Sequence, residues 1–116
     1  MEAGGASEIL EPARTFIRIE ASELQKLASQ LNDEFCTAVS KILASRGKVV
    51  VSGVGESRPV GEKISGTLAS TGTPSIALDP TDALHGGLGR IAPEDILLAL
   101  NNSEETRPLS LLVACV

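Results

Sequence analysis

A glycine-rich turn between an apolar run and a helical pattern is the first place where this sequence could do chemistry. Residues 49–64 are VVVSGVGESRPVGEKI, so β-branched residues lead into the pair Gly53 and Gly55 and a helical pattern follows. A strand, a tight loop and a helix N-terminus in this order can bind an anion through backbone N–H groups. Because a third glycine is missing, the same pattern also fits an ordinary turn between a strand and a helix.

The charges in this loop decide how well it could hold a phosphate. The hydroxyl of Ser57 can donate a hydrogen bond to a phosphate oxygen. The carboxylate of Glu56 opposes it, because two like charges about 4 Å apart repel by roughly 4 kcal/mol at an effective dielectric of 20. Arg58 and Arg107 either compensate for this charge or are solvated. We therefore expect a loop with the shape of a phosphate site and a weak affinity for phosphate.

The composition favours a buried parallel sheet and argues against several classes of partner. Apolar residues make up 42% of the 116 residues, whereas aromatic residues make up 2%, so Val, Ile, Leu and Ala must form the core. The net charge of −5 and the scarcity of aromatic rings argue against nucleic acid and anionic membranes as partners. No apolar run reaches the roughly 20 residues of a membrane span, and no signal peptide is visible. These features predict a cytoplasmic protein.

The cysteines and the single histidine argue against a metal centre. Cys36 and Cys115 lack the spacing of a metal or redox motif, and with a single histidine in the chain a Cys/His zinc site is not expected. Both cysteines are expected to be small core residues. The sequence therefore predicts neither a metal nor a cofactor.

Two helices are predicted over about residues 8–46. Apolar residues recur every three, four or seven positions from Pro12 to Leu31, and Pro12 fits the first turn of the first helix. Asn32 or Asp33 can cap a second helix, for which Gly47 is the expected terminating residue.

The rest of the chain, residues 47–116, alternates between strand and helix patterns. Strands are predicted at residues 48–53, 74–79 and 96–100, a helix at 61–72, and a loop or short helical turn at 81–89. The last ten residues fit a fourth strand or a helix. This alternation predicts an α/β fold with a parallel sheet of order 2-1-3 and helices on both faces, in one domain over residues 1–116. Ligands bind such sheets where the strand order reverses, which here places loops 53–58 and 101–106 around a crevice.

Three stretches carry a resemblance to a known family: LASTGTPS (68–75), DALHGGLG (82–89) and PEDILLAL (93–100). From about residue 8 to residue 107 the chain resembles the sugar isomerase (SIS) domain, and more narrowly the D-arabinose 5-phosphate isomerase family of bacterial lipopolysaccharide and capsule synthesis. The resemblance implies a flavodoxin-like three-layer sandwich, of which this chain lacks the C-terminal part. It also implies interconversion of ribulose 5-phosphate and arabinose 5-phosphate, without a cofactor, by a homo-oligomer (a dimer or tetramer).

The resemblance also implies a set of site residues. The catalytic candidates are His85, Glu56 and Glu105, and the phosphate-binding candidates are Gly53, Gly55, Ser57, Ser103 and Thr106. The chain departs from the family pattern at positions that matter for the site: Glu56 replaces a lysine, Gly87 replaces the aspartate of a His-Gly-Asp motif, Glu104 replaces a glycine of the phosphate loop, and Pro108 replaces a glutamate.

Three functional hypotheses remain open at this point. The first is an aldose–ketose isomerase, in which His85 and either Glu56 or Glu105 move protons through an enediol. His85 could instead only hydrogen-bond nearby backbone, and Glu105 could only stabilise a helix N-terminus. The second is a sugar-phosphate-binding or regulatory module without turnover. The third is an association module whose helices (12–46) pack against a second chain.

Overall fold

The computed structural model describes residues 5–102 and 107–116. Its elements are α1 (Ala6–Gln30), α2 (Asp33–Ala44), β1 (Val49–Gly53), α3 (Ser57–Ser70), β2 (Ser75–Ala77), α4 (Pro80–Leu84), a 3₁₀ turn (Gly87–Arg90), β3 (Ile96–Leu100) and α5 (Arg107–Cys115). The chain divides into two compact units, Met1–Val39 and Ser40–Val116.

The described residues form one parallel sheet of three strands in the order β2-β1-β3. Val49 to Val51 pair with Ser75 to Ala77 on one side, and Val49 to Gly53 pair with Ile96 to Leu100 on the other. The predicted α/β class, parallel direction and central first strand are therefore confirmed. The last ten residues form a helix rather than a fourth strand, because Leu109 and Leu112, three positions apart, are both buried.

Alternate residues of β1 pack against helices on opposite faces of the sheet. Val50 belongs to a core cluster with Leu78, Ala83, Leu109 and Leu112, which come from the β2–α4 segment and from α5. Val51, the next residue, points to the other face, where a Cβ on Gly61 of α3 would lie 3.2 Å from its Cγ1 atom. Helices therefore cover both faces, as the continuous apolar run of β1 predicted.

Several helix boundaries differ from the sequence predictions. Helix α1 begins at Ala6, six residues before Pro12, because the N–H of Gly5 donates to the carboxylate of Glu8 and caps the helix earlier. Helix α3 begins at Ser57 rather than at residue 61. The cap of α2 was predicted correctly, since Asn32 Oδ1 accepts the N–H of Glu34 at 3.0 Å.

The two cysteines do not lie in the core. Cys36 and Cys115 are both exposed, so the prediction of buried cysteines was wrong. Cys36 lies on α2, a helix without a buried residue, and Cys115 is the last residue of α5, beyond its buried Leu112. Within the described part of the chain, no helix is long and apolar enough to cross a membrane.

Gly47 serves close packing and does not terminate a helix. Helix α2 ends at Ala44, and Gly47 is not among the glycines with positive φ. A Cβ at this position would lie 2.5 Å from the carbonyl oxygen of Glu94 and 2.6 Å from Asp95 Oδ1. The segment before β1 therefore approaches the segment before β3 so closely that only glycine fits.

Asp95 fastens the same two segments together. Its Oδ1 accepts the N–H of Lys48 at 2.9 Å, and its Oδ2 accepts the N–H of Ala92 at 2.7 Å and a hydrogen bond from the Lys48 ammonium. The Asp95 side chain is 3% exposed. The hydrogen bond from Ala92, followed by that from the Lys48 side chain, lowers the pKa of Asp95 to about 2.

We expect Gly47→Ala to destabilise the fold by about 1–3 kcal/mol, the usual cost of inserting an atom into a packed site. The matched control is Gly66→Ala on the exposed side of α3, where a Cβ would meet nothing within 4 Å. There, alanine should stabilise the helix by roughly 0.5–1 kcal/mol. Urea denaturation measures both changes, and a neutral Gly47→Ala would contradict the close-packing interpretation.

The low pKa of Asp95 predicts a pH-dependent contribution to stability. Since the folded pKa lies below the ordinary value of 3.8, the contribution is present above about pH 4 and is lost as the pH falls towards about 2. We expect Asp95→Asn to lower the free energy of unfolding at pH 7, and the difference from the natural sequence to shrink over that range. Glu23→Gln, which removes an exposed carboxylate on α1, is the control. An Asp95→Asn effect that stays constant from pH 6 to pH 2 would show that charge plays no part.

Candidate functional site

The loop after β1 and the residues after β3 face each other across a cleft at the carboxyl edge of the sheet. The cleft has a volume of about 640 Å³. It is lined by Val54, Glu56, Ser57 and Val60 on one side and by Ala99, Leu100, Asn101 and Asn102 on the other. This is where the strand order reverses, since β1 neighbours both β2 and β3.

Two glycines shape the loop that forms one wall of this cleft. A Cβ on Gly53 would lie 3.0 Å from Ser57 Cβ and 3.3 Å from the carbonyl oxygen of Leu100, so glycine lets β1 run directly into the turn. Gly55 has φ of +58°, a left-handed conformation that glycine adopts without strain. The N–H of Ser57 then donates to the carbonyl of Val54 at 3.1 Å, and α3 begins.

Polar groups in the cleft are left available by the fold. Glu56 occupies the N-cap position of α3, but its carboxylate makes no capping hydrogen bond. It also makes no ion pair with any described residue, and it is exposed. Ser57, half-buried beside it, begins the helix. The cleft therefore offers a carboxylate without a partner among the described residues and a hydroxyl at the start of a helix.

The charge of the cleft is negative as far as the structure describes it. Of the described lining residues, Glu56 is the one that carries a charge. Arg58, two positions on, lies against a separate cavity of about 220 Å³ beneath the β1–β2 side of the loop. There its Nε lies 3.2 Å from Glu62 and its Nη1 lies 3.7 Å from Asp79. Arg58 is thus paired away from Glu56.

The structure brings only some of the predicted site residues together. Glu56 and Ser57 line the cleft, and Gly53 and Gly55 form its loop. His85 ends α4, where its N–H donates to the carbonyls of Thr81 and Asp82, and it is not among the residues that line the cleft. Three predicted residues lie outside the described part of the chain: Ser103, Glu105 and Thr106.

The sequence placed the loop of residues 101–106 at this crevice, and Asn101 and Asn102 do line the cleft, although neither was named as a site residue. One feature of this edge was assigned differently. Asp79 was assigned to a strand but caps α4, accepting the N–H groups of Thr81 at 2.8 Å and Asp82 at 3.3 Å. The sequence Asp79-Pro80 carries that signal, since aspartate is a common N-cap and proline a common first helical residue.

No metal centre is apparent in the described residues. Nowhere among them do three or more His, Cys, Asp or Glu side chains gather in a way that could hold a metal ion.

The chain resembles two curated isomerases over nearly all of its length. It is 42% identical over 105 residues to the arabinose 5-phosphate isomerase GutQ of Escherichia coli K12, which spans 90% of this chain and 33% of that protein. It is 39% identical over 109 residues to the arabinose 5-phosphate isomerase KdsD of Pseudomonas aeruginosa, or 94% of this chain and 33% of that protein. The chain therefore spans about a third of the length of these relatives.

A solved structure and a family model agree with this resemblance. The Escherichia coli CFT073 protein solved in complex with arabinose 5-phosphate superposes with a TM-score of 0.89 at 30% identity, covering 96% of this chain and 59% of that one. Residues 42–116, which include the whole sheet and the cleft, match the family model described as the SIS domain. The chain belongs to the SIS domain family.

Proposed function

We propose that the cleft beside the loop of residues 53–58 binds a sugar phosphate and serves an aldose–ketose isomerisation of the arabinose 5-phosphate type. The observation that carries the proposal is the cleft itself, at the reversal of strand order, between a glycine turn that opens a helix and two asparagines. Its volume of about 640 Å³ suits a small ligand. The relatives that resemble the chain over this region are named as arabinose 5-phosphate isomerases.

The chemistry of such an isomerisation requires a base beside the sugar carbons. The base removes the proton from C2 of the open-chain aldose, the enediol forms, and a proton is returned to C1 to give the ketose. Glu56 is the described carboxylate that lines the cleft, and no fold contact occupies it. We assign it the role of base, with His85 and Glu105 as further proton-transfer candidates. Gly53, Gly55, Ser57, Ser103 and Thr106 form the proposed phosphate-binding set.

The charge of the cleft favours one alternative, a module that binds sugar phosphates without efficient turnover. A carboxylate at the start of α3 opposes the partial positive charge that a helix N-terminus offers to a phosphate. The described lining residues include no cation that offsets Glu56. Turnover separates the two functions, because only the isomerase converts the ligand.

Three further properties are proposed on the family resemblance. The unit containing the sheet and the N-terminal helices together form one SIS-type domain over residues 1–116. The chain self-associates as a dimer or tetramer, since the outer edges of β2 and β3 have no strand partner among the described residues. It acts in the cytoplasm, in the supply of sugar phosphate for lipopolysaccharide or capsule synthesis.

Incubation with arabinose 5-phosphate, followed by assay of ribulose 5-phosphate, tests the isomerase proposal. We expect turnover by the natural sequence and a loss of roughly 10²–10⁴-fold in Glu56→Gln, the usual contribution of a general base. Glu94→Gln, at the amino edge of the sheet, is the matched control. If the natural chain does not convert the sugar but arabinose 5-phosphate still raises its melting temperature, the binding module is correct and the isomerase is not.

Glu56 should also affect the affinity for arabinose 5-phosphate. Its carboxylate is expected to weaken binding although it assists turnover. We expect Glu56→Lys to tighten arabinose 5-phosphate binding by about tenfold or more, since a charge reversal about 4 Å from a phosphate charge removes a repulsion and adds an attraction, a change of about 2 kcal/mol in water and more in a cleft. Adding Glu104→Gly should strengthen binding further, because it removes a second carboxylate from the segment of the sequence that follows β3. Both gains should shrink as salt is raised.

Calorimetry at low and moderate salt measures these affinities, with Glu94→Lys as a control that makes the same charge change at the opposite edge of the sheet. Equal gains in Glu56→Lys and Glu94→Lys would show that net charge alone is responsible. Tight binding by the natural sequence would contradict the view that Glu56 weakens the site.

A further inference from the structure

Helix α1 presents an apolar surface that nothing in the described structure buries. None of its residues is buried, although it is 25 residues long. Leu10, Ile17, Leu24 and the C-cap residue Leu31 recur every seven positions, and we call these four the α1 stripe. Ile17 is 65% exposed and Leu24 is 67% exposed. The large exposed apolar residues of this segment are Ile9, Leu10, Phe16, Ile17, Ile19, Leu24, Leu27 and Leu31.

The amount of exposed apolar surface matches what one side of a dimer interface needs. Ile19 lies two positions after Ile17 and so on the opposite side of the helix. Covering the other seven side chains would remove roughly 400 Å² of apolar surface, at roughly 60 Å² each for a side chain that is already half-exposed. A standard interface buries about 800 Å² on each partner, of which somewhat more than half is apolar. A patch of this size matches the largest apolar patch of a typical monomer, which is often an interaction site. A spacing of seven is the pattern of a helix that packs along another helix.

One charged residue beside the α1 stripe shows what the covering helix must provide. Glu20 lies three residues after Ile17 and four before Leu24, so it shares their face of the helix. Its side chain makes no hydrogen bond or ion pair with any described residue. A carboxylate in the middle of an apolar interface is costly unless a cation meets it. The helix that covers the α1 stripe must therefore place a cationic side chain opposite Glu20.

We propose that α1 of a second copy of this chain covers the stripe in an antiparallel arrangement, with the two-fold axis near Ile17. About that axis, Leu10 of one copy lies level with Leu24 of the other, and Ile17 meets its own equivalent. Arg14, three residues before Ile17, then lies level with Glu20 of the second copy, three residues after it. The Leu10–Leu24 and Arg14–Glu20 pairs each occur twice, as a two-fold interface requires.

Arg14 is free to change its partner. In the structure its Nη1 lies 2.7 Å from Glu11 on the same helix, and both side chains are more than half exposed. Exposed ion pairs of this kind contribute little to stability. Arg14 can therefore leave Glu11 and pair with Glu20 of the second copy at little cost in free energy. That pair neutralises the Glu20 carboxylate within the apolar interface.

This inference concerns a surface other than the sugar-phosphate cleft, and it takes up the self-association proposed above by naming the contact. Charge reversal tests it by sedimentation equilibrium. Arg14→Glu and Glu20→Arg should each weaken self-association by at least tenfold, because each places like charges opposite one another twice. An equimolar mixture of the two single variants should associate as strongly as the natural chain, since each reversed charge then meets an opposite one. The chain that carries both changes should do the same.

Arg18→Glu, on the polar side of α1, is the matched control and should leave association unchanged. Circular dichroism and urea denaturation of each variant verify that the fold survives, which is expected because no residue of α1 is buried. A natural chain that stays monomeric at micromolar concentration would overturn both the self-association and this interface. A dimer that neither charge reversal weakens, or two variants that do not rescue each other, would overturn this interface while leaving self-association and the cleft intact.

Discussion

Strand β1 is hydrogen-bonded to a neighbouring strand on each edge and covered by helices on both faces. Its side chains therefore cannot reach a ligand or take part in a reaction. Val49, Val50 and Val51 are at most 1% exposed, and the next residue, Ser52, is tolerated because its hydroxyl donates to the carbonyl of Leu78. An unpaired polar group at any of these positions would be costly. Reactive side chains are therefore confined to the loops that leave the carboxyl ends of the strands.

Gly53 and Gly47 lie at the two ends of β1, where the burial of the strand brings other segments of the chain close to its backbone. At the carboxyl end, Gly53 brings the chain against Ser57 and the carbonyl of Leu100, so the loop turns at once into α3 and opens a cleft. At the amino end, Gly47 lets the chain meet the carbonyl of Glu94, where Asp95 ties the two segments together. One end is thus closed by packing and a buried carboxylate, whereas the other end is left open for a ligand.

The sequence was informative wherever a single local rule governs the structure. The apolar runs predicted the three strands, and Asn32 predicted the start of α2, because these signals depend on neighbours in the chain. The alternation of strands and helices predicted the strand order. Pro12 was assigned to the first turn of α1 but lies six residues after its start, because the Gly5–Glu8 cap could not be distinguished from a frayed terminus. The part played by Gly47 could not be predicted at all, because its contact with Glu94 joins residues far apart in the chain.

The charge at the cleft shows why the fold could be predicted more fully than the site. The turn between β1 and α3 keeps its geometry through Gly53, Gly55 and the hydrogen bond from Ser57 to Val54, none of which involves the side chain of Glu56. The backbone is therefore indifferent to the charge at that position, and lysine or glutamate would give the same turn. What the cleft binds, by contrast, depends strongly on that charge. Arg58 does not offset it, because Asp79 and Glu62 hold the guanidinium on the other side of the loop. Fold and affinity can thus change independently in this domain, since they depend on different atoms of the same six residues.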